Sequence, residues 1–181
     1  KFFKIIFFTL VLLNISKTSN AEFEKEVELT DQGLCEEALL ENEKTQIEES
    51  KKFSSKKLFV GKYTSEIFKA YAMGRRVGIL KNNCKNPKKA LELGLEYIKL
   101  QEQNLKIPFK EVKSLNMTEF QRHKFVADAY ATVSHIYEEL NDLPVAIKYL
   151  KKSVDIYETL DPYQKENLLD YNYAILASYY N

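Results

Sequence analysis

Residues 130–153 read YATVSHIYEELNDLPVAIKYLKKS. Tyr130, Val133, Tyr137 and Leu140 recur at spacings of three and four, which places them on one face of a helix. Ala146, Leu150 and Ser153 repeat that spacing beyond Pro144. Only Asn141, Asp142 and Leu143 stand between Leu140 and the helix start at Pro144, so the helices must fold back as an antiparallel pair. The small Ala146 on the facing stripe lets the two backbones approach closely.

The same grammar extends in both directions. Proline suits the first turn of a helix, where its missing N–H would have no partner, and a preceding Asn or Asp caps the turn. Asn86-Pro87 and Asp161-Pro162 fit this directly, and Asn141 to Pro144 fits with a short offset. These starts predict helices over 87–104, 144–160 and 162–180, with another over 118–140 capped by Thr118. Pro108 lies in 105–117, the one long connection. Nearer the N-terminus the pattern predicts a helix over 31–50 with Leu34, Ala38, Leu39 and Ile47 inward. A further helix over 65–81 turns Phe68, Tyr71, Ala72 and Leu80 inward and ends at Asn82-Asn83. Strand alternation and Asn-Gly or Asp-Gly hairpins are missing. The expected fold is all-α: antiparallel helical hairpins stacked as a short array. A non-repeating bundle would use the same core residues.

The chain has 181 residues, 45% apolar and 29% charged, with 5 Gly and 4 Pro. That composition supports a packed core and excludes wholesale disorder. A net charge of +1 removes the basic footprint that whole-chain nucleic-acid binding needs. Lys1 and Lys4, the apolar run Ile5 to Leu13 broken by Thr9, and Ser19-Asn20-Ala21 form the three parts of a secretory signal, with cleavage expected after Ala21. The apolar run is too short for a membrane span, which takes about 20 residues, so no stable anchor is expected after cleavage. The chain divides accordingly: 1–21 signal peptide, 22–64 N-terminal helical segment, 65–181 helical-hairpin domain. The expected destination is the periplasm in a Gram-negative bacterium and the exterior otherwise.

Cleavage leaves 24 bases against 26 acids in blocks of opposite sign: residues 22–52 are acidic, 53–113 basic and 114–181 acidic. Compensation between packed helices explains such blocks more simply than an anionic ligand does. Export also favours pairing Cys35 with Cys84, which would tie the acidic block to the basic one; two free thiols, or bonds to other chains, are the alternatives. Two Cys and two His supply too few ligands for a zinc site, and no metal or cofactor is expected.

On these residues the segment 130–153 resembles a tetratricopeptide repeat (TPR). Tyr130, Val133-Ser134 and Tyr137 stand where that family has its first-helix aromatic, Leu-Gly pair and Tyr, and Ala146, Leu150 and Ser153 match its second helix. The best-matching unit is 127–160. Tyr173, Leu176-Ala177 and Tyr180 resemble a further first helix, and Ala90, Gly94 and Tyr97 an earlier second one. The closing proline comes late, at Pro162, and Lys81 stands where the earlier unit should have Tyr. The resemblance implies a groove that holds a partner peptide, lined in the matching helix by Asp128, Ala131, His135 and Glu138. That stripe is acidic, which suits a basic or amide-rich segment. The terminal Tyr171 to Tyr180 run is aromatic nearly all round, where a closing helix is normally polar outside, and suits self-association.

No nucleophile–base pair, His-Glu-x-x-His or phosphate-cradling loop is present, so no catalytic residues are assigned. Glu36-Glu37 and Glu138-Glu139 are helix neighbours pointing about 100° apart. The expected function is an exported, non-catalytic protein-binding or assembly module. The alternative is a small exported helical hydrolase acting on cell-wall glycan, since an isolated Glu in a cleft leaves no trace in sequence. A structural or effector protein delivered outside the cell comes third.

Overall fold

A computed structural model of the chain describes residues 24–55, 64–112, 117–160 and 173–179, and every regular element among them is helical. The signal segment 1–21 and the Asp161-Pro162 start lie outside the described residues. The helices are α1 (24–31), α2 (Cys35–Ser55), α3 (Thr64–Gly78), α4 (Pro87–Leu105), α5 (Phe109–Val112), α6 (Glu119–Glu139), α7 (Leu143–Glu158) and α8 (173–178). Neighbours pack in chain order: α2 on α3, α3 on α4, α4 on α6, α6 on α7.

The expected caps are in place. Asn86 accepts from Lys89 N with Pro87 in the first turn, and Asp142 accepts from Val145 N with Pro144 in the first turn. Thr118 and Gln121 form a reciprocal capping box. The turns into α4 and α7 share a further device, a left-handed residue immediately before the cap. Lys85 has φ 50° and Asn141 φ 61°. At the second turn the N–H groups of Asn141 and Asp142 satisfy the carbonyls of Glu138 and Tyr137, closing α6 as a Schellman motif. At the first, α3 continues as a π-helical turn, Ile79–Asn83, which ends at Cys84. Cys84 is bonded to Cys35 with Cα atoms 5.2 Å apart, so the pairing expected from sequence is present.

The main core joins Val77 and Leu80 to Ala90 and Tyr97 of α4 and to Val126, Tyr130, Val133 and Ile136 of α6. Small residues set its spacing: a Cβ added at Gly94 would lie 2.9 Å from Val133 Cγ2. The α6–α7 hairpin closes over Ala146, Leu150 and Tyr157, with Ser134 Oγ donating to the Ala146 carbonyl at 2.8 Å. Arg122 fastens α4 to α6. Its Nη2 donates to the carbonyls of Asn104, Leu105 and Ile107 at 2.5–2.9 Å, satisfying groups that the end of α4 leaves without helical partners.

The N-terminal layer departs from expectation. The helix expected over 31–50 is interrupted at Gly33, whose φ of 73° glycine adopts without strain, and the chain restarts as α2 at Cys35. Leu34, Ile47 and Tyr71, expected inward, are 37%, 47% and 47% exposed. Ala38 is buried and Leu39 packs on the main core, as expected, but the described buried stripe of α2 continues through Asn42, Thr45 and Glu49. The cause is the partner. α3 brings Arg75 and Arg76 to this seam, so polar side chains must face them. Glu26 of α1, 2% exposed, pairs with Arg75 Nη2 at 2.7 Å and accepts from Asn42 Nδ2 at 2.7 Å, while Arg76 Nε donates to Asn42 Oδ1 at 3.3 Å. The connection expected over 105–117 holds the one-turn helix α5, whose Val112 is fully buried.

Candidate functional site

The stripe Asp128, Ala131, His135 and Glu138 lies on α6 at the expected helical spacing, but three of its members are engaged within the chain. Asp128 Oδ1 accepts from Tyr157 of α7 at 2.5 Å, and Oδ2 pairs with Lys124 at 2.6 Å. Burial first, and then this carboxylate beside it, raise the Tyr157 hydroxyl well above its ordinary range, so it stays a neutral donor. Glu138 Oε2 accepts from Tyr179 at 2.7 Å and lies 3.3 Å from His135 Nδ1. The Tyr179 hydrogen bond is the main cause of a Glu138 carboxyl held below its ordinary value of 4.5. The C-terminal tyrosines thus meet α6 and α7 of their own chain: Tyr179 on Glu138, and Tyr173 donating to Glu158. Ala131 and His135 are half-buried. His123 Nδ1 lies 2.9 Å from the Glu119 carbonyl of its own helix.

A concave surface lies elsewhere on α6, between α4 and α7. It is an open groove of about 600 Å³ lined by Glu102, Leu105, Lys106, Val126, Tyr130, Lys152, Asp155 and Ile156. Its floor is apolar, formed by Leu105, Val126 and Ile156 with the Tyr130 ring, and each rim carries one acid and one base. Tyr130 donates to Glu102 Oε1 at 2.5 Å, and burial together with that carboxylate raises its hydroxyl above the ordinary range. Lys152 Nζ sits over the Tyr130 ring, 5.0 Å from its centroid, and 5.9 Å from that of Tyr149, which stacks on Tyr137 at 5.3 Å. These contacts pack one end of the groove.

The sequence carried part of this site unread. Glu102 and Lys106 are four apart on α4, and Lys152, Asp155 and Ile156 share a face of α7. That the two faces meet across α6 follows only from three-helix packing. Among the described residues no group of three or more His, Cys, Asp or Glu is placed to hold a metal ion, and no helix is long and apolar enough to cross a membrane. Comparison with protein families, with curated proteins and with solved structures finds no match.

Proposed function

We propose that the protein is an exported, non-catalytic binding or assembly module in which TPR-like hairpins hold a segment of a protein partner. The observation that carries this reading is the groove across α6, with its apolar floor, its fixed tyrosine and its rims of both signs, a combination suited to one apolar anchor flanked by polar groups. The hairpin reading is supported by the matching turns into α4 and α7 and by small residues where helices cross. The partner is a peptide segment rich in amide or basic donors, which meet Glu102 and Asp155, with an apolar side chain over Leu105 and Ile156. Export is supported by the signal pattern and is compatible with the disulfide.

Affinity capture from the native envelope with residues 22–181 tests the reading, run beside Lys106→Glu/Asp155→Lys and Asp128→Lys/Glu138→Lys variants. A partner lost with the first variant and kept with the second locates binding in the groove. Equal capture by all three forms refutes it. N-terminal sequencing of the native protein tests export, with Glu22 expected first. Glu102 and Asp155 on opposite rims favour one second reading, glycan hydrolysis by a carboxylate pair. Release of soluble glycan from cell-wall material, abolished by Glu102→Gln, would establish it in place of the first.

A further inference from the structure

The groove across α6 carries its charges in an order. Arg122, at the start of α6, meets the carbonyls that end α4, so these two helices run antiparallel. Ser134 meets Ala146 near the start of α7 and Asp128 meets Tyr157 near its end, so α6 and α7 run antiparallel too. The two rims, α4 and α7, therefore point the same way. At the Tyr130 end stand Glu102 on the α4 rim, bonded to the Tyr130 hydroxyl, and Lys152 on the α7 rim, over the Tyr130 ring. Lys106 follows about one turn on along the first rim and Asp155 just under one turn on along the second, so the signs are exchanged across the groove at its other end.

Each end thus sets an acid opposite a base. A peptide group lying between them satisfies both, its N–H toward the carboxylate and its C=O toward the ammonium. The second end requires the orientation opposite to the first. Consecutive peptide groups of an extended chain turn their carbonyls to opposite sides, whereas groups two apart turn them the same way. The ends lie about 4.5 Å apart along α7 and about 6 Å apart along α4, between one and two residues of an extended chain at about 3.3 Å each, and the exchange of signs selects one. A helical partner does not fit, because its main-chain groups lie along its own axis and are already paired. The rim groups are available: Tyr130 occupies one oxygen of Glu102, Lys152 rests on ring faces, and Lys106 and Asp155 are exposed. Among the described residues no ion pair joins one rim to the other.

We infer that the groove reads the main chain of an extended partner segment, holding two consecutive peptide groups between its rims while alternate side chains drop onto Leu105, Val126 and Ile156. This rests on the groove reading and deepens it. The amide donors are those of the partner's backbone, so recognition requires apolar side chains at alternate positions and no particular charge.

The probe is an uncharged peptide, acetyl-Thr-Leu-Thr-Leu-Thr-amide, titrated into the isotope-labelled, disulfide-bonded protein and followed by NMR. Saturable shifts at Leu105, Val126 and Ile156 are expected. An analogue with an ester oxygen in place of each leucine N–H keeps the side chains but loses one rim contact in either register, and should bind about tenfold more weakly. The exposed pair Lys106→Glu/Asp155→Lys keeps the charge of the groove but gives both ends one orientation, which consecutive peptide groups cannot satisfy; binding of the peptide should weaken by a similar factor. The inference is overturned by an absence of groove shifts at the solubility limit of the peptide, by equal binding of the ester, which needs no variant, or by equal binding to the swapped protein. If the neutral peptide fails while acetyl-Thr-Lys-Thr-Lys-Thr-amide shifts the same signals, the groove reading stands and the backbone inference falls. If neither peptide shifts the groove and the swap leaves affinity capture unchanged, the groove reading falls with it.

Discussion

Replacing Cys35 and Cys84 by alanine tests how the N-terminal layer is held. The bond spans 49 residues, and the loop-closure entropy it removes from the unfolded chain is worth about 4 kcal/mol at 25 °C. Domains of this size are stable by about 5–15 kcal/mol, so the loss is a large share of the whole and corresponds to a melting temperature lower by about 10 °C. It should also be uneven. Among the described side chains the stripe that α2 buries is Ala38, Asn42, Thr45 and Glu49, with one apolar member, whereas α6 and α7 close over Ala146, Leu150, Val154 and Tyr157. Without the covalent tie, α1 and α2 should open locally before the remainder unfolds. Urea denaturation followed by circular dichroism measures the loss, and hydrogen exchange read by mass spectrometry locates it, with residues 24–55 gaining most and 119–158 least. A loss under about 1 kcal/mol, or exchange rising evenly along the chain, refutes this account of how the N-terminal layer is held.

The glycines predict substitutions of opposite effect. Gly94→Ala should lower stability by up to about 2 kcal/mol, since a new methyl 2.9 Å from the stiff Val133 side chain outweighs the helix propensity gained, whereas Gly78→Ala, helical and with nothing within 4 Å, should raise it by up to about 1 kcal/mol; thermal melts of the two decide the sign. Arg122→Met should cost about 3 kcal/mol by leaving the carbonyls of Asn104, Leu105 and Ile107 without their charged donor, and Arg122→Lys should recover only part of it in urea denaturation, because an ammonium lacks the planar fork. Glu138 has a lowered folded-state value, so its contact with Tyr179 contributes stability that is full above the ordinary 4.5 and lost as pH falls through the lowered value; Tyr179 ring signals followed by NMR should move to their unfolded positions in that acid range, and Glu138→Gln should remove the pH dependence.

How far the sequence could be read depended on whether a helix's packing partner was close along the chain. The α6–α7 hairpin was legible because its two halves are separated by one turn, so the stripe Tyr130, Val133, Tyr137 and the stripe Ala146, Leu150, Ser153 stand side by side in the sequence. The caps at Asn86, Thr118 and Asp142 were legible for the same reason, since each acts within three residues. α2 was legible at Ala38 and Leu39 but not at Leu34 and Ile47, because much of its inward face answers to Arg75 and Arg76, about thirty residues on, and hydrophobic periodicity assumes an apolar partner. Of the stripe expected to bind a partner, only the spacing was legible. Helical spacing set Asp128 and Glu138 on one face, but Tyr157 lies 29 residues from Asp128 and Tyr179 lies 41 from Glu138, so their engagement left no local trace.

The polar seam and the disulfide answer one another. An ion pair between buried Glu26 and half-buried Arg75 contributes little net stability once desolvation is counted, yet a misplaced register would strand Glu26 without its partner. Such a seam fixes how α1 and α2 sit on α3 without supplying much of the free energy that keeps them there. The Cys35–Cys84 bond has the opposite character: it adds several kcal/mol and discriminates poorly between nearby registers. Register from the charges and stability from the covalent tie together do much of the work that a largely apolar seam does between α4 and α6. An Arg75→Met/Glu26→Leu variant separates the two contributions. It should leave the oxidised protein as stable as wild type or more so, and should make the reduced protein hold its N-terminal layer better, because an apolar pair no longer needs the bond to offset desolvation. If the reduced double variant instead loosens further, the charges themselves hold the layer, and the division of roles argued from this seam is wrong.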